Sequence, residues 1–307
     1  MIFFETSGVE LQWWLPPLIT FFIGFIVSTG GLSGAFVLLP FQVSILGFTT
    51  PAVTSTNHLY NVISIPSGVY RFFKEKRMLW PLAGVIVAGT LPGVALGSWL
   101  RVAHLPDPAA FKLFVGCVLL FISSRMVWEA AMRPVLYKIG WMTPEEKTEN
   151  KVTITPVTDT TFTFREISFT FSDQCYSVNV PIIFVLSAFV GVIGGAYGVG
   201  GGAIIAPFLI TVFGLPVYCT AGATLLGTFA TSLFAVGFFT WLAPMYAQAA
   251  TPVSPDWALG GMFGLGGFFG IYLGARLQRF FPQNLIKAVL GIGICTLALR
   301  YIIGYFL

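Results

Sequence analysis

Apolar stretches recur along almost the whole chain, at 18–29, 35–48, 82–100, 113–124, 182–197, 203–215, 225–243, 257–275 and 288–299. They constrain the fold more than any other feature. In hydrocarbon every backbone N–H and C=O must be satisfied within the protein, so segments of this length read as membrane helices. With 56% hydrophobic and 9% charged residues, the chain has too little polar surface to coat a water-soluble globule. The expectation is an all-α polytopic membrane protein with one membrane domain and no large soluble catalytic domain. Residues 133–178 alone read as aqueous. Residues 1–14 carry Glu5 and Glu10 and no basic residue, the wrong charge for a signal peptide, so the first apolar segment is expected to be retained. Trp13 and Trp14 ahead of it suit a membrane interface.

The net charge of +4 does not point to nucleic acid, because the basic residues stand at the ends of apolar segments and not on one soluble face. Cys117, Cys175, Cys219 and Cys295 are singletons, which supports neither a metal site nor a disulfide framework. Cys175 is expected to be accessible and the other three to be buried filling. No cofactor motif is present: the run from Gly194 to Gly202 lacks the G-K-[ST] ending of a nucleotide loop. H-E-x-x-H, G-x-S-x-G and an intramembrane carboxylate pair are also absent, so the chain does not read as an enzyme.

The chain repeats itself. At an offset of 167, Gly24 pairs with Gly191, Gly31 with Gly198, Gly34 with Gly201, Pro40 with Pro207, Phe41 with Phe208 and Gly47 with Gly214. At 177, Trp80 meets Trp257, Gly84 meets Gly261 and Leu96-Gly97 meets Leu273-Gly274; at 175, Lys112, Gly116 and Arg125 meet Lys287, Gly291 and Arg300. Matches in the same order over three blocks indicate duplication. The expected division is a first membrane repeat over 1–132, a polar linker over 133–179 and a second membrane repeat over 180–307. Alternation in Thr161-Phe162-Thr163-Phe164 and Ile167-Ser168-Phe169-Thr170-Phe171 suggests a small β-hairpin in the linker.

Each repeat opens on an apolar stretch broken by glycine, at Gly30-Gly31-Leu32-Ser33-Gly34 and at Gly198-Val199-Gly200-Gly201-Gly202. Glycine costs a helix interior about 1 kcal/mol relative to alanine, and several together favour a break. The arms 15–29 and 35–48 each reach roughly 20 Å, short of a hydrocarbon core of about 30 Å. Each broken stretch is therefore either one long span or a re-entrant hairpin. Single spans leave nine basic residues inside against five outside. Hairpins put Arg71, Lys74, Lys76, Arg77, Arg133, Lys138, Lys147, Lys151, Arg165, Arg276, Arg279 and Lys287 inside, twelve against Arg101 and Lys112 outside. The preferred fold is two inverted repeats, each a glycine-broken re-entrant hairpin plus three transmembrane helices. The amino terminus is then outside and the linker cytoplasmic.

Paired discontinuous helices point to a transporter's binding site near the midplane, where free backbone N–H groups and helix starts favour an anion. Ser33, Gly34, Gly200, Gly201 and Gly202 are the candidates at the breaks. Close packing of small residues is the competing explanation for the glycines. The following helices carry Thr56, Asn57, His58 and Asn61 in the first repeat and Thr224 and Thr228 in the second, with Asn57 and Asn61 on one helical face and the two threonines on another. Asparagine is costly in lipid and should face a polar cavity, whereas threonine can bond its own helix. His58 is a candidate proton acceptor or anion contact; a neutral histidine bonded across helices is the other reading. Arg125 and Arg300 read as interface anchors.

Gly198-Val199-Gly200-Gly201-Gly202 followed by Pro207, Gly214-Leu215-Pro216 leading into Ala223-Thr224-Leu225-Leu226, and Asp256-Trp257 with Gly270 to Leu277 resemble the TauE/SafE sulfite exporter family of permeases. The first half carries weaker copies, Gly31 to Pro40, Thr56-Asn57 and Gly93 to Leu100. The resemblance covers both membrane halves and not the linker. It implies a multi-pass protein of the bacterial inner membrane that moves a small anionic solute such as sulfite or a sulfonate by alternating access. An anion channel, or a carrier of carboxylates or other organic anions, is the alternative. Lipids are the other expected partner, and the sequence leaves open whether the chain forms a homo-oligomer.

Overall fold

The computed structural model describes residues 1–29, 33–76, 78–128, 157–171, 174–249, 251–277 and 283–306. Gly30, Gly31 and Leu32 of the first break, and most of the linker before residue 157, lie outside the described residues.

The first half holds α1 (Leu15–Thr29), α2 (Ala35–Ser44), α3 (Ala52–Ser64), α4 (Pro66–Lys74), α5 (Trp80–Ala103) and α6 (Pro108–Val127). The second holds α7 (Val180–Tyr197), α8 (Gly201–Thr211), α9 (Val217–Leu242), a 3-10 turn (Ala243–Ala249), α10 (Trp257–Leu277) and α11 (Gln283–Phe306). Trp80–Ala103, Pro108–Arg125, Val180–Tyr197, Cys219–Tyr246 and Trp257–Gly274 are long and apolar enough to cross a bilayer. The chain is thus a mostly helical polytopic membrane protein. At 18 residues, α7 is longer than α1 at 15, so the second broken stretch has a longer first arm than the first. Where the second half has the single helix α9, the first has α3 and α4: Pro66 has no N–H for the helical ladder and starts a new segment. Starts are set locally elsewhere. Asp107 accepts from Ala110 N at 2.8 Å, and Asn179 from Ile182 N at 3.1 Å.

Two helix pairs make close contacts that the sequence offsets relate to one another. Gly89 of α5 lies against Phe184 of α7, Gly93 against Ala188 and Gly97 against Val192. Gly266 of α10 lies against Pro17 of α1, Gly270 against Phe21 and Gly274 against Phe25. Each pair runs parallel, and the repeat offsets turn every contact of one into a contact of the other. Glycine every fourth residue lets the backbones approach closely, which is how helices associate where lipid competes equally for apolar side chains. Helices at equivalent places run antiparallel. Along α3–α4 and α9, Asn61 meets Ser232, Gly68 meets Leu225 and Phe72 meets Gly222. Along α6 and α11, Lys112 shares a cleft with Arg300 and Tyr305, and Gly116 meets Ala298 and Tyr301.

Strands β1 (Ile2–Phe4) and β2 (Val9–Leu11) form an antiparallel hairpin before α1. Its Ser7 binds Asp256 Oδ2 through the backbone N at 3.2 Å and through Oγ at 2.9 Å, which ties the hairpin to the start of α10. The two alternating runs after residue 157 are β3 (Thr158–Phe162) and β4 (Glu166–Phe171), and β5 (Gln174–Asn179) completes an antiparallel sheet. One face of that sheet, with Ile167, Phe169, Phe171 and Val178, is buried in the same core as Leu215 and Cys219. Cys175 is exposed and Cys219 buried, but Cys117 is exposed, contrary to its expected role as filling. It lies on an exposed side of α6.

Candidate functional site

The second break is built by two left-handed glycines. Gly198 has φ +89° and ends α7; Gly200 has φ +85° and precedes α8. Only glycine adopts these angles without strain. Gly201 then lies against Gly191, so the chain folds back along α7.

Breaking a helix inside an apolar core frees carbonyls, and a single face of α3 satisfies them. Thr54 Oγ1 donates to Ala196 O at 3.4 Å, Asn57 Nδ2 to Gly198 O at 2.9 Å and Asn61 Nδ2 to Val199 O at 3.0 Å. His58 Nε2 stands 3.5 Å from Gly195 O. These residues are at i, i+3, i+4 and i+7, one stripe of the helix. The same asparagines also bond Ser33 and α2, just after the first break. Asn57 Nδ2 donates to Ala35 O at 3.1 Å and its Oδ1 accepts from Gln42 Nε2 at 3.2 Å. Asn61 Oδ1 accepts from Ser33 Oγ at 3.2 Å, and Ser33 Oγ accepts from Ala35 N at 3.3 Å. Tyr197 Oη donates to Phe36 O at 3.1 Å, a further link between the breaks. Neither asparagine faces an open cavity: both are fully buried, with their amide groups bonded to protein.

In the second half, Thr228 Oγ1 donates to Thr224 O at 2.8 Å and Thr224 Oγ1 to Ala221 O at 3.1 Å, both within α9. Gly202 presses on this face so closely that a Cβ there would stand 2.1 Å from Thr224 O. Gly200, the N-cap of α8, offers no side chain to its first N–H groups. A model of the family described as sulfite exporter TauE/SafE matches residues 17–301.

The chain belongs to the TauE/SafE family. It is a membrane transporter and not an enzyme. The protein named "Probable membrane transporter protein YunE" of Bacillus subtilis (strain 168) is 24% identical over 282 residues, which cover 88% of this chain and 89% of that relative. No solved structure matches the chain.

The remaining candidates of this TauE/SafE protein are also interior. Thr56 Oγ1 accepts from Asp256 N at 2.9 Å, and Asp256 Oδ1 accepts from Leu259 N at 3.0 Å, so Thr56 sits where α3 meets the start of α10 and not at a break. Gly34 abuts the hydroxyl of Tyr60. Tyr60 Oη is buried and makes no hydrogen bond of normal geometry. His58 Nδ1 lies 3.2 Å from Ser232 Oγ, which also accepts from Asn61 Nδ2 at 3.2 Å. A neutral ring protonated on Nε2 fits both contacts: Ser232 donates to Nδ1, and Nε2 donates to Gly195 O.

Gln42, Thr54, Tyr60, Ser232 and Arg101 complete this interior, and sequence reasoning missed all five as site residues. Ser232 continues the Thr224/Thr228 face by another four residues and was detectable on that signal. Arg101 stood in the sequence as a loop charge, yet it is fully buried. Arg300 is exposed and lines a cleft of 420 Å³ with Val43, Ser44, Lys112 and Tyr301, away from the breaks. Among the described residues no three His, Cys, Asp or Glu side chains gather as metal ligands.

Proposed function

We propose that the protein is a permease for a small sulfur-containing or organic anion of the sulfite or sulfonate type, bound between the two glycine breaks and exposed to each side in turn. The observation that carries the reading is the start of α8. It is buried, and its N-cap is a glycine, which supplies no side-chain acceptor to the first backbone N–H groups. Free N–H groups and the positive end of a helix in a low-dielectric setting suit an oxyanion. Gly200, Gly201 and Gly202 supply that end, with Thr224 and Thr228 beside it. At the first break Ser33, Gly34 and the buried Tyr60 hydroxyl supply the counterpart. Thr56, Asn57, His58 and Asn61 fix the geometry from α3.

In this reading the halves are inverted repeats, each a re-entrant hairpin plus three spans. The antiparallel run of α3–α4 against α9 and of α6 against α11 supports the inversion, since each pair occupies equivalent repeat positions. Trp80 and Trp257, equivalent and both exposed, would then mark opposite interfaces. The amino terminus is outside, together with Asp256, and the sheet of β3 to β5 is cytoplasmic. The continuous interior bonding favours a carrier over an open channel, because passage requires the bonds across the breaks to rearrange.

The test is flux into proteoliposomes of purified protein, with sulfite, a sulfonate and a carboxylate as competitors. Saturable sulfite uptake, blocked by the sulfonate and less by the carboxylate, is expected. Fast unsaturable conductance, or no sulfite flux at all, would overturn the reading.

A further inference from the structure

Arg101, in the last turn of α5, is fully buried and forms no ion pair among the described residues. Its acceptors are all neutral. Nε donates to Thr54 Oγ1 at 3.2 Å, Nη2 to Thr49 O at 2.9 Å and Nη1 to Leu105 O. The guanidinium carbon lies 3.6 Å from the centre of the Phe111 ring. A buried charge without an opposite charge is expensive even when hydrogen-bonded, and neutral acceptors and a ring face compensate it only in part. Each Nη atom retains an N–H beyond the bonds described. Thr50, next in sequence to the Thr49 carbonyl that Nη2 bonds, has its Oγ1 buried without a hydrogen-bond partner among the described residues.

The cation is wired to the second break. Thr54 Oγ1 accepts from Arg101 and donates to Ala196 O at the end of α7, and a Cβ on Gly198 would stand 2.9 Å from Thr54 O. The repeat does not copy it: Gln278 occupies the equivalent sequence position and Ala221 the position equivalent to Thr54. The charge therefore stands on one approach to the breaks.

Resting on the permease reading, we infer that Arg101 is the fixed cation that selects anions on that approach, its free N–H groups and the Thr50 hydroxyl binding the oxygens of the passing ion. The anion supplies the opposite charge that the protein lacks there. A neutral solute of the same size gains nothing from the site.

The experiment is radiolabelled sulfite flux in proteoliposomes of the full chain and of Arg101→Gln, Arg101→Lys and Thr50→Val, with KM and kcat separated and melting temperature recorded. Arg101→Gln is expected to raise KM about tenfold or more with a smaller change in kcat; Arg101→Lys, which keeps the charge but loses the planar fork, and Thr50→Val should each raise it about threefold. Unchanged KM in Arg101→Lys and Thr50→Val would overturn the inference even if Arg101→Gln fails to fold. So would a lowered melting temperature with unchanged KM in Arg101→Gln, the behaviour of a purely structural clamp. Saturable wild-type flux with any of these results leaves the permease reading standing. Loss of flux in the wild type removes both.

Discussion

Helices α3 and α9 hold equivalent places in the two halves and do different work. On α3 the polar stripe is Asn57 and Asn61, whose amides reach other segments at both breaks. On α9 the matching residues are Thr224 and Thr228, whose hydroxyls bond their own helix. The matched positions carry different chemistry, so one helix bonds to segments beside both breaks and the other presents a smooth face on which Gly202 rests. A threonine there leaves room for close approach; an asparagine supplies the donors that freed carbonyls need.

The largest effect is expected from removing the clamp. Asn57→Ala or Asn61→Ala leaves buried carbonyls unpaired and should cost about 2–4 kcal/mol each in denaturant unfolding in detergent, with sulfite flux abolished. Losses no greater than those of a surface alanine substitution would mean that the asparagines are not the clamp. On the other helix, Gly202→Ala forces a Cβ toward Thr224 O and should cost about 1–3 kcal/mol, visible as a lower melting temperature. Ser232→Ala deprives Asn61 of one acceptor and His58 of its hydroxyl partner, with an expected cost of about 1–2 kcal/mol. Thr224→Val and Thr228→Val should change stability by less than about 0.5 kcal/mol, since intrahelical hydroxyl bonds add little, while raising KM for sulfite. That split between stability and affinity is what separates α9 from α3. The smallest change is expected for His58→Gln. With neutral partners on both ring nitrogens, the slope of flux against pH is expected to match the wild type. A slope that vanishes would make it the proton carrier.

Much of this was legible in the sequence because it depends on local patterns. Apolar stretches, Gly198 to Gly202 and the repeat offsets follow from what lipid and backbone geometry demand, and the offsets reappear as the matched contacts of α5 with α7 and of α1 with α10. Asn57 and Asn61 were recognisable as interior polar residues, but not as clamps, because their partners come from segments fifteen to twenty-eight and more than a hundred residues away. The reading that they face a cavity assumed that ligand must satisfy them; freed carbonyls do so instead. Arg101 was misread for a similar reason. An arginine at a helix end ordinarily reaches for water, and only the fold brings Phe111, Thr49 and Thr54 over it.

On the permease proposal, α3 holds two helix breaks together so that one anion meets both. Equilibrium binding of radiolabelled sulfite to purified protein tests it most directly, comparing the wild type with the double variant Asn57→Thr/Asn61→Thr, which gives α3 the chemistry of α9. Saturable binding by the wild type and its loss in a double variant that remains folded is the predicted result. Equal affinity in the two proteins would contradict it.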